Sequence, residues 1–100
     1  MTKEQQAIQT LKEIIKLIFP EKAQNYEVKS KVDEKGILLD IYPTEESIGL
    51  LIGKQGRNVI FLRKVMRKWA LFNQCFVSLR VFVNKTNEKS LSPNQNVQTS

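Results

Sequence analysis

Histidine is absent from this chain of 100 residues, and cysteine occurs once, at Cys75. Without an imidazole there is no Ser-His-Asp or Cys-His nucleophile system, and the usual zinc and iron ligand sets lose their nitrogen donor. A single thiol can form neither an internal disulfide nor a Cys-rich metal site. It fits a reducing cytosol, with Cys75 as a small core residue. Long apolar runs are missing too. Leu17-Ile18-Phe19 and Leu50-Leu51-Ile52 fall far short of the ~20 residues of a membrane span. The polar start, Met1-Thr2-Lys3-Glu4-Gln5-Gln6, lacks the apolar core of a secretory signal. Paired carboxylates for acid–base work are lacking as well, because Glu45 and Glu46 are adjacent on a helical stretch and point apart. The expectation is a soluble cytoplasmic protein that is not an enzyme, has no catalytic residues, and needs neither metal nor cofactor.

Acidic residues are missing from one third of the chain. Residues 53–84 contain none, yet they carry Lys54, Arg57, Arg63, Lys64, Arg67, Lys68 and Arg80. Residues 37–52 show the opposite pattern, with Asp40, Glu45 and Glu46 and no base. The net charge of +6 is therefore concentrated in the 53–84 segment. A polyanion is a better partner for such a segment than an acidic small molecule.

Apolar residues Ala7, Ile8, Leu11, Ile14, Ile15 and Ile18 recur at three- and four-residue spacing, which predicts an amphipathic helix over about 4–18. Pro20 ends it. Tyr26, Val28, Ser30 and Val32 alternate with Glu27, Lys29 and Lys31, the pattern of a strand with one wet face. A turn over 33–36 leads into a second, more apolar strand over 37–42, closing an antiparallel hairpin. Thr44 has the look of an N-cap, and Glu45 and Glu46 lie in the first turn of a short helix over about 45–52. A longer helix covers about 57–72, with Leu62, Val65, Met66 and Trp69 as its core stripe and Val59, Ala70 and Phe72 at the edges. The run from Cys75 to Val83 reads as a third strand. From Asn84 the composition turns polar, and residues 85–100 read as a disordered tail that cannot bury enough surface to offset chain entropy. The order α-β-β-α-α-β predicts a two-layer α+β domain over 1–84, a three-stranded sheet packed against three helices.

Two glycines separated by two residues stand between the last two helices. Gly53 and Gly56 stop one helix and permit a sharp reversal into the next. Such a reversal directs backbone N–H groups and the positive helix end toward an anion, and glycine lets a sugar-phosphate chain approach closely. Lys54 within the turn and Arg57 after it add mobile positive charge. The local chemistry describes a phosphate clamp; a bare helix–turn–helix linker is the alternative. A nucleotide-hydrolysing loop is not supported. Gly49-x-x-x-Gly53-Lys54 is one residue short in its glycine spacing, and Gln55 stands where Mg²⁺ needs Ser or Thr.

Ile52-Gly53-Lys54-Gln55-Gly56-Arg57, followed by Val59, Leu62 and Arg63, resembles a KH domain, and the element order resembles its type II form. The short length and this run are similar to the small bacterial KhpA family. Ile48-Gly49-Leu50-Leu51-Ile52-Gly53 also resembles the KH part of the longer KhpB/Jag proteins. The resemblance implies single-stranded RNA binding, with Gly53, Lys54, Gln55 and Gly56 holding the backbone of about four nucleotides. It implies that Ile48, Ile52, Val59 and Ile41 line or underlie an apolar groove for bases. It further implies an RNA chaperone or post-transcriptional regulator, linked to cell elongation and division. Its partner would be a second copy or a KhpB/Jag-like KH protein.

The chain departs from that pattern at two places. KH domains usually carry a polar or small residue where Ile60 and Phe61 stand, and Leu71 falls with Ile60 on the arc that should be wet. Ile60, Phe61 and Leu71 are read either as a dimer or partner interface or as scattered surface hydrophobes. Arg63, Lys64, Arg67 and Lys68 are read either as an extension of the RNA track or as a solvated helix face. Were the interface the true role, the protein would be a KH-fold interaction module with little RNA affinity.

Overall fold

A computed structural model of the chain describes residues 1–83; the polar stretch 85–100 lies outside the described residues. Helix α1 spans Lys3–Ile18. Its start is held by a capping box, in which the Gln5 N–H donates to Thr2 Oγ1 at 3.1 Å and the Thr2 N–H donates to Gln5 Oε1 at 3.0 Å. Ala7, Leu11 and Ile15, four residues apart, are fully buried. A single 3-10 turn, Glu21–Gln24, follows Pro20. It swings Gln24 back so that its amide donates to the Ile15 carbonyl at 2.9 Å, beside the Phe19 N–H that the same carbonyl accepts, and to the Phe19 carbonyl at 3.3 Å, tying the turn to the end of α1.

Strand β1, Tyr26–Asp33, pairs antiparallel with β2, Gly36–Pro43, from Tyr26 opposite Pro43 to Asp33 opposite Gly36. Helices α2, Glu45–Ile52, and α3, Arg57–Phe72, carry the chain across to β3, Val77–Val81. This helical crossover makes β3 parallel to β2. The sheet order is β1-β2-β3, so the most apolar strand is central, as its composition indicated. Ile37, Leu39 and Ile41 of β2 join Leu11 and Ile15 of α1, Leu51 of α2 and Leu62 and Met66 of α3 in one core.

Three local expectations change. The third strand is shorter than the 75–83 apolar run, because the Cys75 N–H turns back to the Ala70 carbonyl at 3.0 Å and closes α3 instead. Phe72, expected at the edge of the core, is 78% exposed. The buried row of α3 runs Val59, Leu62, Met66, Ala70, and position 72 lies about 200° around the helix from Ala70. Thr44 takes the N-cap position of α2, but its hydroxyl accepts no backbone N–H of the helix and instead donates to Ser47 Oγ at 3.4 Å. Ser47 is the polar anchor there. It is fully buried, donates to the Lys22 carbonyl at 2.6 Å and accepts from the Asn25 N–H at 3.1 Å, tying α2 to the 3-10 turn.

Candidate nucleic-acid interface

The turn between α2 and α3 is built on three residues with positive φ. Gly53 ends α2 at φ 76°, ψ 171°, and its N–H bonds the Gly49 carbonyl at 2.8 Å. Gln55 (φ 58°) and Gly56 (φ 73°) are both left-handed, and the Gly56 N–H closes back on the Gly53 carbonyl at 3.1 Å. The two glycines are needed for different reasons. A Cβ on Gly53 would lie 2.6 Å from Cγ of Asn58, whereas one on Gly56 would meet nothing within 4 Å. Gly53 is therefore fixed by packing as well as by φ, and Gly56 by φ alone.

Asn58 is the residue that sequence reasoning missed. Its Nδ2 donates to the Leu50 carbonyl at 2.7 Å, so the first turn of α3 grips the last turn of α2 from beneath Gly53. The available signal was an amide placed two residues after a Gly-x-x-Gly turn, where a helix start meets carbonyls left open by the preceding helix. Above this support Lys54, Gln55 and Arg57 are exposed, and Arg57 Nη2 donates to Gln55 Oε1 at 3.4 Å. Gly56 has no side-chain oxygen to cap α3, and the Arg57 N–H closes on the Lys54 carbonyl, so the positive end of that helix lies at the same junction as these side chains.

The four apolar residues of the expected groove are not equivalent. Ile48 and Ile52, one turn apart on α2, are half-buried and reachable from solvent. Val59 is 9% exposed and Ile41 is fully buried in the core, so Ile41 can only underlie the surface. The bases of α3 also divide. Arg63, Lys64, Arg67 and Lys68 are all exposed, but the Arg63 Nε is engaged, donating to the Leu79 carbonyl at 3.0 Å. Arg80 stands apart, in a two-bond pair with Asp40 (Nε–Oδ1 2.9 Å, Nη2–Oδ2 3.2 Å). That hydrogen bond, opposed by burial, raises the Arg80 guanidinium above its ordinary pKa. Beside it Tyr42 and Phe82 stack with ring centroids 4.8 Å apart. Ile60 (47% exposed), Phe61 (38%) and Leu71 (70%) all present apolar surface to water.

Among the described residues, no helix is long and apolar enough to cross a membrane. No protein-family model matches the chain, and no curated protein matches it. Among solved structures, the chain is similar to Aquifex aeolicus Era, in a crystal structure bound to GDP and aluminium fluoride. The TM-score is 0.63 at 21% identity, over 81% of this chain and 31% of that one. The chain thus corresponds to about a third of the length of Era. With its α-β-β-α-α-β order and mixed three-stranded sheet, it has the type II KH topology seen in Era.

Proposed function

We propose that this chain is a single-stranded RNA-binding protein that grips the RNA backbone with the Gly53–Gly56 turn. The observation that supports this reading best is the construction of the turn. Gly53 is seated on Asn58, Gly56 stands uncapped at the start of α3, and Lys54, Gln55 and Arg57 project outward from that junction. A positive helix end and two cations then converge where a phosphate chain can come close. Ile48 and Ile52 supply apolar contact for bases beside it, with Val59 and Ile41 as the floor. Binding is the role and catalysis is not, in keeping with a sequence that has no histidine.

The finer reading follows the sequence resemblance to the KhpA family. It makes the protein a cytoplasmic RNA chaperone or post-transcriptional regulator that works as a homodimer or with a KhpB/Jag-like KH partner, in the control of cell elongation and division. One small clamp makes few contacts, so pairing would raise affinity through effective concentration.

The test is the full chain carrying Lys54→Asp and Gln55→Asp together, titrated against single-stranded RNA by fluorescence anisotropy. Both side chains are exposed, and aspartate tolerates the left-handed φ of position 55, so the fold should be retained. Loss of binding with an unchanged circular dichroism spectrum is the expected result. Retained binding would refute the clamp. The exposure of Ile60 and Leu71 favours a second reading, a protein-interaction module. In that case the loop change is silent, while an Ile60→Asp, Leu71→Asp pair alters the mass measured by light scattering.

A further inference from the structure

Immediately behind the glycine turn, α1 and α3 leave an apolar notch of about 350 Å³, lined by Ile18, Phe19, Pro20, Asn58 and Phe61. Asn58 belongs to both features. The side chain that backs Gly53 and holds the Leu50 carbonyl is also a wall of the notch. The notch and the turn are thus contiguous, and a polymer held by one reaches the other. Phe19 is buried, while Ile18 and Phe61 keep 60% and 38% of their surface in water.

The surroundings of Phe61 say what kind of occupant fits. On α3 it follows Arg57 by one turn and precedes Lys64 and Lys68 by one and two turns on the same arc. The helix carries no acid. A protein side chain would be satisfied by the apolar walls but has no use for a row of cations. A single-stranded nucleic acid uses both, because charge tracks its backbone and an aromatic face stacks its bases. The notch also has the size for one heterocycle, at more than twice the ~150 Å³ that holds a benzene ring.

We propose that a nucleotide adjoining those held by Gly53–Gly56 lays its base in this notch against Phe61, with Arg57 and Lys64 on its phosphates. The proposal rests on the RNA reading of the glycine turn and extends it to a position that Phe61 creates.

The experiment uses the full chain, a short single-stranded RNA, and the same RNA with one abasic nucleotide moved along it. Base–aromatic stacking corresponds to a loss of roughly 5-fold to 150-fold in affinity for Phe61→Ala. One abasic position should cost the unaltered chain a similar factor and cost Phe61→Ala nothing further. Phe61→Trp should keep both the affinity and the abasic effect, which separates stacking from misfolding. If Phe61→Ala binds like the parent while the Lys54→Asp, Gln55→Asp pair does not bind, the notch is refuted and the clamp stands. If the abasic losses add to the Phe61→Ala loss at every position, or if Phe61→Ala changes only the mass in light scattering, the notch holds no base. If the unaltered chain binds no RNA, the clamp reading itself fails.

Discussion

Replacing Gly53 and Gly56 by alanine, one at a time, should reveal two different penalties. At Gly56 the new methyl meets nothing within 4 Å, so the cost is that of holding a non-glycine residue at φ 73°, ψ 15°, about 1–2 kcal/mol. At Gly53 the backbone lies at φ 76°, ψ 171°, outside the left-handed well and in a region populated almost only by glycine, which costs about 1–3 kcal/mol by itself. The methyl would also sit 2.6–2.9 Å from Cγ, Nδ2 and Cβ of Asn58. Asn58 cannot move aside without giving up its bond to the Leu50 carbonyl, a further loss of about 1 kcal/mol. The expected totals are about 2–4 kcal/mol for Gly53→Ala and about 1–2 kcal/mol for Gly56→Ala. The assay is urea denaturation followed by the fluorescence of Trp69, the chain's one tryptophan, which packs against the core. Because the clash and the hydrogen bond share Asn58, the Gly53→Ala, Asn58→Ala pair should cost about 1 kcal/mol less than its separate parts added together. Equal losses at the two glycines, or strict additivity of the pair, would refute the packing argument.

Three other outcomes are expected. Ser47→Ala removes a donor to the Lys22 carbonyl and an acceptor for the Asn25 N–H in a fully buried place, and should cost about 2–3 kcal/mol in the same urea assay. Burial raises the pKa of the Tyr26 phenol above its ordinary 10.0, so the folded state favours the neutral form. The stability that this contributes is complete below about pH 10 and declines as pH rises toward the folded-state value. Tyr26→Phe should therefore flatten the alkaline loss of stability, measured as urea midpoints from about pH 8 to about pH 11. Finally, Lys64→Ala should lower the salt dependence of RNA binding by about one ion, while Arg63→Ala, whose Nε is engaged by Leu79, should change it less. Equal slopes would overturn that distinction.

The fold was legible because each element carries its own period. The 3.6-residue repeat of Ala7, Leu11 and Ile15, the alternation from Tyr26 to Val32, and the denser apolar run of β2 mark helix, edge strand and central strand without reference to one another. The glycine spacing marked the turn for a similarly local reason. What could not be read depends on contacts between distant residues. Asn58 matters because α2 and α3 cross where Leu50 leaves a carbonyl open, and Ser47 matters because the 3-10 turn after α1 comes to rest beside it. Phe72 was misjudged by treating the core stripe as wider than it is. The sheet needs only the row through Leu62 and Met66, and α3 turns its last aromatic residue to solvent. Ile41 and Ile52 looked alike as groove residues, yet one lies on the covered face of the central strand and the other on a half-open flank of a helix.

The seven bases of the 53–84 segment form a single block along the chain, but the fold sorts them into three kinds. Arg80 is matched by Asp40 across the β2–β3 pair, so it adds little to the outward field. Arg63 has a structural task. The Ile37 N–H bonds the Phe76 carbonyl and the Phe82 N–H bonds the Ile41 carbonyl, so even-numbered residues of β3 face β2 and odd-numbered ones face the open edge. Leu79 is odd-numbered, and Arg63 covers its carbonyl on the edge where another strand would otherwise add. The remaining five, Lys54, Arg57, Lys64, Arg67 and Lys68, are exposed and lie on the glycine turn and the outer arc of α3. The charge available to a polyanion is thus smaller than the count of bases, and it gathers on the glycine turn and the helix that starts from it.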